Sequence, residues 1–164
     1  MKICVISDIH DNLKNLRKAI EKINSVKPIL VVFCGDFVSP FVIKEFSKFK
    51  SKVYAVFGNN EGDINSLIKA CPKNVELFYW IGECRVNKVK IAFTHFPAVA
   101  RQLAKRNYDF VFYGHTHLHK VERTDKCLVI NPGEICGLKE EPRFLVVDVE
   151  SKSYEFKKVW FNLA

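Results

Sequence analysis

Short apolar runs recur along the chain, and each ends on a polar or charged cluster. Lys2-Ile3-Cys4-Val5-Ile6-Ser7, Ile29 to Phe33, Val53 to Phe57 and Phe110 to Tyr113 read as buried strands. Between them the apolar residues return at helical spacing. Leu13, Leu16, Ala19, Ile20 and Ile23 predict a helix capped by Asn12 or Asp11, and Pro28 closes the connection that follows. Pro40 sits in the first turn of a second predicted helix, from about Ser39 to Phe49, with Phe41, Val42, Glu45 and Phe46 marking its inner side. A short third helix covers Asp63 to Ala70 and stops near Pro72. This β-α-β-α-β order predicts parallel strands with covering helices.

Beyond Pro72 the rhythm changes. Val75 to Tyr79, Glu83 to Val86 and Val89 to Phe93 are close-set strands, the last two joined through Asn87-Lys88 as a hairpin. A helix from about Ala98 to Arg106 leads into the Phe110 strand. Leu118 to Arg123, Lys126 to Ile130, Phe144 to Val149 and Tyr154 to Val159 add four short strands with turns between them. No repeat, low-complexity stretch or linker interrupts the chain. The expected architecture is a single α/β domain over residues 1–164, built of two packed sheets, the first more parallel, with helices outside.

The polar clusters at the strand ends carry the chemistry. Asp8 and His10 follow the first run, Asp36 the second, Asn59 the third, and His95 the strand ending at Phe93. His115 and His117 follow the Phe110 run within Gly114-His115-Thr116-His117. Functional groups of open α/β sheets gather beyond the carboxyl ends of the strands. Together these residues offer two carboxylates, one amide oxygen and four imidazoles. Mixed nitrogen and oxygen donors without thiolate suit Mn, Fe, Co, Ni or Zn. Seven side chains are too many for one ion. With one carboxylate bridging they give four contacts to each of two ions, the arrangement that clamps a phosphoryl centre in two-metal hydrolysis. Singly, each cluster reads as an ordinary turn or a core histidine; the joint occurrence, in order and always at strand ends, carries the metal reading. His119, in a strand starting at Leu118, reads as a surface or supporting residue.

Composition adds limits. A chain of 164 residues with 48% hydrophobic and 27% charged residues describes a folded globular protein and excludes a disordered one. The formal charge of +8 is spread along helices and turns, so it reads first as a solvated lysine-rich surface and second as a field for anionic substrates. The six cysteines form no CxxC pair and no zinc-finger spacing. The opening apolar run is too short for a signal peptide or a membrane span. The expected setting is cytoplasmic, with free thiols and no membrane partner.

The set Asp8-Ile9-His10, Gly35-Asp36, Gly58-Asn59, His95 and Gly114-His115-Thr116-His117 resembles the calcineurin-like metallophosphoesterase superfamily, whose pattern is DxH … GD … GN[HDN] … H … GHxH. The compact length and the Asn131-Pro132-Gly133 turn look like its small prokaryotic YfcE-type phosphodiesterases. The resemblance implies a four-layer α/β/β/α sandwich of two mixed sheets around a dimetal centre. By that likeness Asp8, His10 and His117 hold the first ion, Asn59, His95 and His115 the second, and Asp36 bridges them. It also implies a metal-dependent phosphoric ester hydrolase, in first place a phosphodiesterase using a metal-bridging hydroxide for in-line attack at phosphorus. The alternatives are a phosphomonoesterase or nuclease, or a catalytically inactive scaffold on the same fold, as the retromer subunit resembling this family is. Nucleotide or nucleic-acid substrates and a homo-oligomer stay open.

Four positions depart from the family pattern. Asn60 stands where larger members carry a histidine, the proposed general acid, and an amide supplies no titratable proton. Glu61 replaces the usual Asp. Phe96-Pro97 follows His95 in place of glycine, which predicts a narrower or more apolar approach to the second ion. Glu134 stands where a small hydroxyl residue is frequent.

Overall fold

Side-chain alternation along β1 (Lys2–Ile6) divides the molecule into layers. Ile3 and Val5 join a buried cluster with Val32, Phe93, Phe110, Phe112 and Ile130, whereas Cys4 and Ile6 join one with Leu16, Ala19, Ile20 and Ile23. Each strand of the first sheet thus feeds two compartments, as a period of two requires. The computed structural model describes residues 1–160; residues 161–164 of the expected domain lie outside the described residues.

The elements after β1 are α1 (Leu13–Val26), β2 (Leu30–Phe33), α2 (Pro40–Glu45), β3 (Lys52–Val56), α3 (Ile64–Ala70), β4 (Val75–Phe78), β5 (Ile81–Val86) and β6 (Val89–Thr94). There follow α4 (Pro97–Leu103), β7 (Phe110–Phe112), β8 (Lys120–Arg123), β9 (Leu128–Asn131), β10 (Arg143–Asp148) and β11 (Ser153–Lys158). One sheet has the order β11-β10-β1-β2-β3-β4 and the other β5-β6-β7-β9-β8. In the first, β1 to β4 run parallel, β10 is antiparallel to β1, and β11 is antiparallel to β10; in the second, β6, β7 and β9 run parallel between antiparallel edges. Helices α1 to α3 cover the outer face of the first sheet. Helix α4 covers the second, where Ala100 and Leu103 meet Ala92, Val111 and Val129. The four-layer α/β/β/α sandwich of two mixed sheets is therefore present.

Local chemistry explains most boundaries. Asn12, not Asp11, caps α1 by accepting the Asn15 N–H at 3.0 Å, while Asp11 accepts from the Ser39 backbone and hydroxyl. The second helix is shorter than expected. Its last turn tightens into a 3-10 turn at Phe46–Lys48, so that the Phe46 ring packs against Phe33, Phe37 and Phe49. Strand β8 starts at Lys120 rather than Leu118, because His117 has a left-handed backbone and His119 turns to Glu140. The fourth helix ends at Leu103, short of Arg106. The Asn87-Lys88 hairpin forms, with Val86 opposite Val89.

Eight phenylalanines, among them Phe33, Phe57, Phe93 and Phe112, are less than 2% exposed. Each contributes roughly 1.5–3 kcal/mol relative to an exposed ring. All six cysteines are free thiols. Among the described residues no helix is long and apolar enough to cross a membrane.

Candidate metal centre

The parallel strands β1, β2 and β3 of one sheet and β6 and β7 of the other deliver the seven candidate side chains to one rim. Asp36 stands at the middle. Its Oδ2 lies 3.2 Å from His10 Nε2, and its Oδ1 lies 3.4 Å from His95 Nε2. On the Oδ2 side, His10 Nε2 and His117 Nε2 approach to 3.2 Å and both face Asp8 Oδ1, at 3.8 and 3.6 Å. On the Oδ1 side, Asn59 Oδ1 lies 2.8 Å from His95 Nε2 and 2.6 Å from His115 Nδ1. The two imidazole nitrogens there are 3.2 Å apart. All seven residues singled out in the sequence thus converge, in two groups that share one carboxylate.

Backbone geometry sets these positions. Asp8, His10, Asp36, His115 and His117 all occupy the left-handed region, with φ of 54°, 44°, 68°, 72° and 65°. Such conformations cost roughly 1–3 kcal/mol each for non-glycine residues and gather at functional sites. Two glycines make room. A Cβ on Gly58 would stand 2.0 Å from Asp36 Oδ1, and one on Gly114 would stand 2.0 Å from Ser7 Oγ and 2.9 Å from Asp8 Oδ2.

Hydrogen bonds behind the imidazoles decide which nitrogen faces inward. His95 Nδ1 lies 2.8 Å from the Cys34 carbonyl, so it carries the proton and leaves a lone pair on Nε2. His117 Nδ1 lies 2.5 Å from Glu134 Oε2, which likewise leaves the Nε2 lone pair facing Asp8. Imidazole lone pairs turned inward beside two carboxylates, each held from behind by a carbonyl or carboxylate, are a donor set that fits a divalent cation. Asp8 is fully buried and accepts the His115 N–H with both oxygens at 3.1 Å.

Electrostatics agree with this division. Burial alone would push the Asp36 carboxyl up, but the hydrogen bond from His10, the neighbouring His95 and two donors from Asn60 hold it far below the usual carboxylate range. The Asp36 and Asp8 carboxylates raise His10 to about 9, against the opposing effect of burial. Burial lowers His95 below its ordinary value despite both carboxylates.

Sequence reasoning missed three supporting roles. Glu134 is fully buried; besides His117 it accepts from the Cys136 thiol and the Lys139 and Glu140 backbone N–H groups. Burial would raise its carboxyl, and these donors bring it below its ordinary value instead. Glu61 accepts four backbone N–H bonds, from Asp36, Phe37, Val38 and Gly58, at 2.7–3.0 Å, and so staples the β2 and β3 loops together. Asn131 donates to the Gly114 carbonyl and the Thr116 hydroxyl under the double-histidine loop. The only signal for Glu134 and Glu61 was their departure from the family's usual residue. Asn60 is exposed, yet it is tied to the centre: its amide donates to Asp36 Oδ2 at 3.0 Å and its backbone N–H to Oδ1 at 2.9 Å. His119 stays outside the centre, paired with Glu140 at the surface.

Layers, strand-end ligand loops and an inward-facing nitrogen and carboxylate cluster together describe a phosphoester-cleaving metalloprotein. The sequence matches the family described as "Calcineurin-like phosphoesterase superfamily domain" over residues 1–152, and the chain belongs to that superfamily, whose members use divalent metals. A protein of Methanocaldococcus jannaschii named Phosphodiesterase MJ0936 is 41% identical over 161 residues, which cover 94% of this chain and 96% of that protein. The solved structure of an archaeal phosphodiesterase superposes with a TM-score of 0.89 at 39% identity, covering 96% of this chain and 99% of the other. The E. coli phosphoesterase YfcE shares the fold, with a TM-score of 0.71 at 19% identity over 98% of this chain and 100% of its own.

Proposed function

We propose that this chain is a phosphodiesterase that works with two divalent cations, Mn, Ni, Fe, Co or Zn. Asp8, His10 and His117 serve one cation, Asn59, His95 and His115 the other, and Asp36 lies between. The observation that carries this reading is the Asp36 carboxylate, whose two oxygens face two separate donor groups. Cations bound there would neutralise phosphate oxygens and supply an ionised water near neutral pH.

The chain's own residues do the rest. Asn60 grips both oxygens of Asp36 and holds each toward its own group. Glu134 and the Cys34 carbonyl hold the protons of His117 and His95 on their outer nitrogens. No titratable side chain occupies position 60, and both oxygens of Glu61 are taken up by backbone N–H groups. The departing oxygen therefore leaves without a proton from this loop, which favours esters of acidic alcohols. The free thiols support a reducing, cytoplasmic setting. Ligands drawn from both sheets support reading residues 1–164 as one domain.

Metal analysis joined to a substrate panel tests the proposal. Wild-type protein should take up about two ions per chain, in keeping with a two-metal site, and should cleave nitrophenyl diesters faster than the matching monoesters. Asp36→Ala should lose both ions, whereas His10→Ala should mainly weaken one. A stoichiometry of one ion that survives Asp36→Ala would overturn the bridging role, and a preference for monoesters would overturn the diester assignment.

A further inference from the structure

One feature of the surface beside the centre has no part in holding cations. Phe96 directly follows His95, and its ring centroid lies 5.2 Å from His95 and 6.1 Å from His115. The indole of Trp80 lies 5.8 Å from Phe96 at an interplanar angle of 54°. A continuous run of rings therefore leads from the His95 and His115 side of the centre out to solvent. Trp80 is 47% exposed and Phe96 half-buried, so neither serves chiefly as core. His115 and Asn59 are also exposed, which makes this the open side of the site.

Both rings are mounted on the frame that sets the ligands. Phe96 caps the N-terminus of α4 with an extended backbone, φ −92° and ψ 124°, and Pro97 at the first helical position enforces that conformation. Trp80 follows Tyr79, whose carbonyl accepts the Phe57 N–H at 3.0 Å, at the end of the strand that presents Asn59. The Tyr79 ring packs on buried Phe57 at 5.8 Å. A shelf fixed in this way loses little side-chain freedom when a flat group settles on it. Large aromatic side chains left at the surface beside a phosphate site are the usual platform for nucleobases, since every base offers a π-face and stacking is tolerant of sequence.

We propose that Trp80 and Phe96 form a stacking shelf for the nucleobase of a nucleotide phosphodiester, whose phosphate lies at the neighbouring centre. The proposal rests on the phosphodiesterase reading and adds the substrate class. It needs no base-specific hydrogen bond, so preference for a nucleoside over a small alkyl group is expected without strong preference among bases.

The test compares two diesters with the same leaving group, thymidine 5′-(4-nitrophenyl) phosphate and methyl 4-nitrophenyl phosphate, on metal-loaded protein. Wild type should favour the thymidine ester in kcat/KM. Trp80→Ala should erode that preference about 10-fold, within the range for loss of one stacking ring, and Trp80→Phe should restore most of it. Equal kcat/KM for the two esters in wild type, or an equal fall for both in Trp80→Ala, would overturn the proposal; the second result would seat the nitrophenyl ring on the shelf. A second readout needs no turnover. The chain has two tryptophans, so Trp160→Phe leaves Trp80 as its sole indole. Thymidine 5′-monophosphate should quench its emission saturably and ribose 5-phosphate should not. If wild type cleaves neither ester, the phosphodiesterase reading fails and quenching alone decides: saturable quenching upholds the shelf, and its absence overturns it.

Discussion

Asn60 binds both oxygens of Asp36, Oδ1 through its backbone N–H at 2.9 Å and Oδ2 through its side-chain amide at 3.0 Å. The residue at the place of the family's proposed acid is thus a clamp on the shared carboxylate. Wild-type activity should depend steeply on leaving-group pKa, with nitrophenyl diesters cleaved readily and simple alkyl diesters poorly. Asn60→His exchanges the clamp for a titratable group. Alkyl diesters should gain up to ~10²-fold relative to nitrophenyl diesters, the lower range of a positioned acid, and a new ionisation should enter the pH profile. Parallel plots of log kcat/KM against leaving-group pKa would show that no proton donor acts from position 60.

Glu134 is the support whose loss should be felt at a distance from substrate. Glu134→Gln keeps an acceptor for His117 but removes the charge, and metal affinity should fall about 10- to 100-fold, as for other partners of metal-bound histidine. Glu134→Ala also removes the acceptor of the part-buried Lys139 and Glu140 N–H groups and empties a fully buried position, so its Tm should fall further. Metal titration beside thermal unfolding separates the two effects. An unchanged affinity in Glu134→Gln would mean that His117 is held by packing alone.

His10 links metal binding to pH. In the metal-free protein its pKa is raised to about 9 by the carboxylates of Asp36 and Asp8, against ~6.5 unfolded. Its stabilisation is therefore fully present below the unfolded pKa and lost as pH rises through the folded one. Metal-free wild type should lose Tm between about pH 6.5 and 9, and His10→Asn should lose less over the same range. Cations must also displace that proton, so uptake at neutral pH should release about one proton from His10. Calorimetry in buffers of different ionisation enthalpy measures it; zero release at pH 7.5 would refute the assignment.

Removing metal should weaken the fold without dissolving it. A ligand present at 100 times its Kd stabilises the native state by ~2.7 kcal/mol, while the two apolar clusters lie behind the centre and stay intact. A chelator should lower Tm and leave the far-ultraviolet circular dichroism unchanged at 25 °C. Gly58→Ala, which drives a methyl into Asp36 Oδ1, should abolish this chelator-sensitive increment. Complete unfolding of wild type by chelator at that temperature would identify the centre as structural.

The seven converging side chains were legible because each one ends an apolar run, and parallel strands of a layered sheet bring such ends to one rim. The layers were legible from alternation in runs such as Ile3 to Ile6. Supports such as Glu134 and Asn131 were not, since they act across folded-back loops on groups 15 to 17 residues away and carry no periodicity. The tightened turn at Phe46 was hidden for a related reason: a cluster of four rings, not helix propensity, decides where α2 stops. Phe96-Pro97 announced an apolar approach to the centre, but its partner Trp80 lies in a strand-crossing stretch with no motif of its own.

The order β11-β10-β1-β2 has a consequence for the growing chain. Strand β1 is central in the finished sheet, yet its antiparallel partner, Arg143–Asp148, is translated after β2, β3 and β4 of the same sheet. During synthesis the N-terminal β-α-β-α-β unit therefore exposes one unpaired edge of Ile3 to Ile6, an apolar segment of the kind that recruits foreign strands. A ribosome stalled before Arg143 holds a nascent chain with a central, largely buried strand half open, so the hairpin of β10 and β11 acts as the molecule's own seal against aggregation.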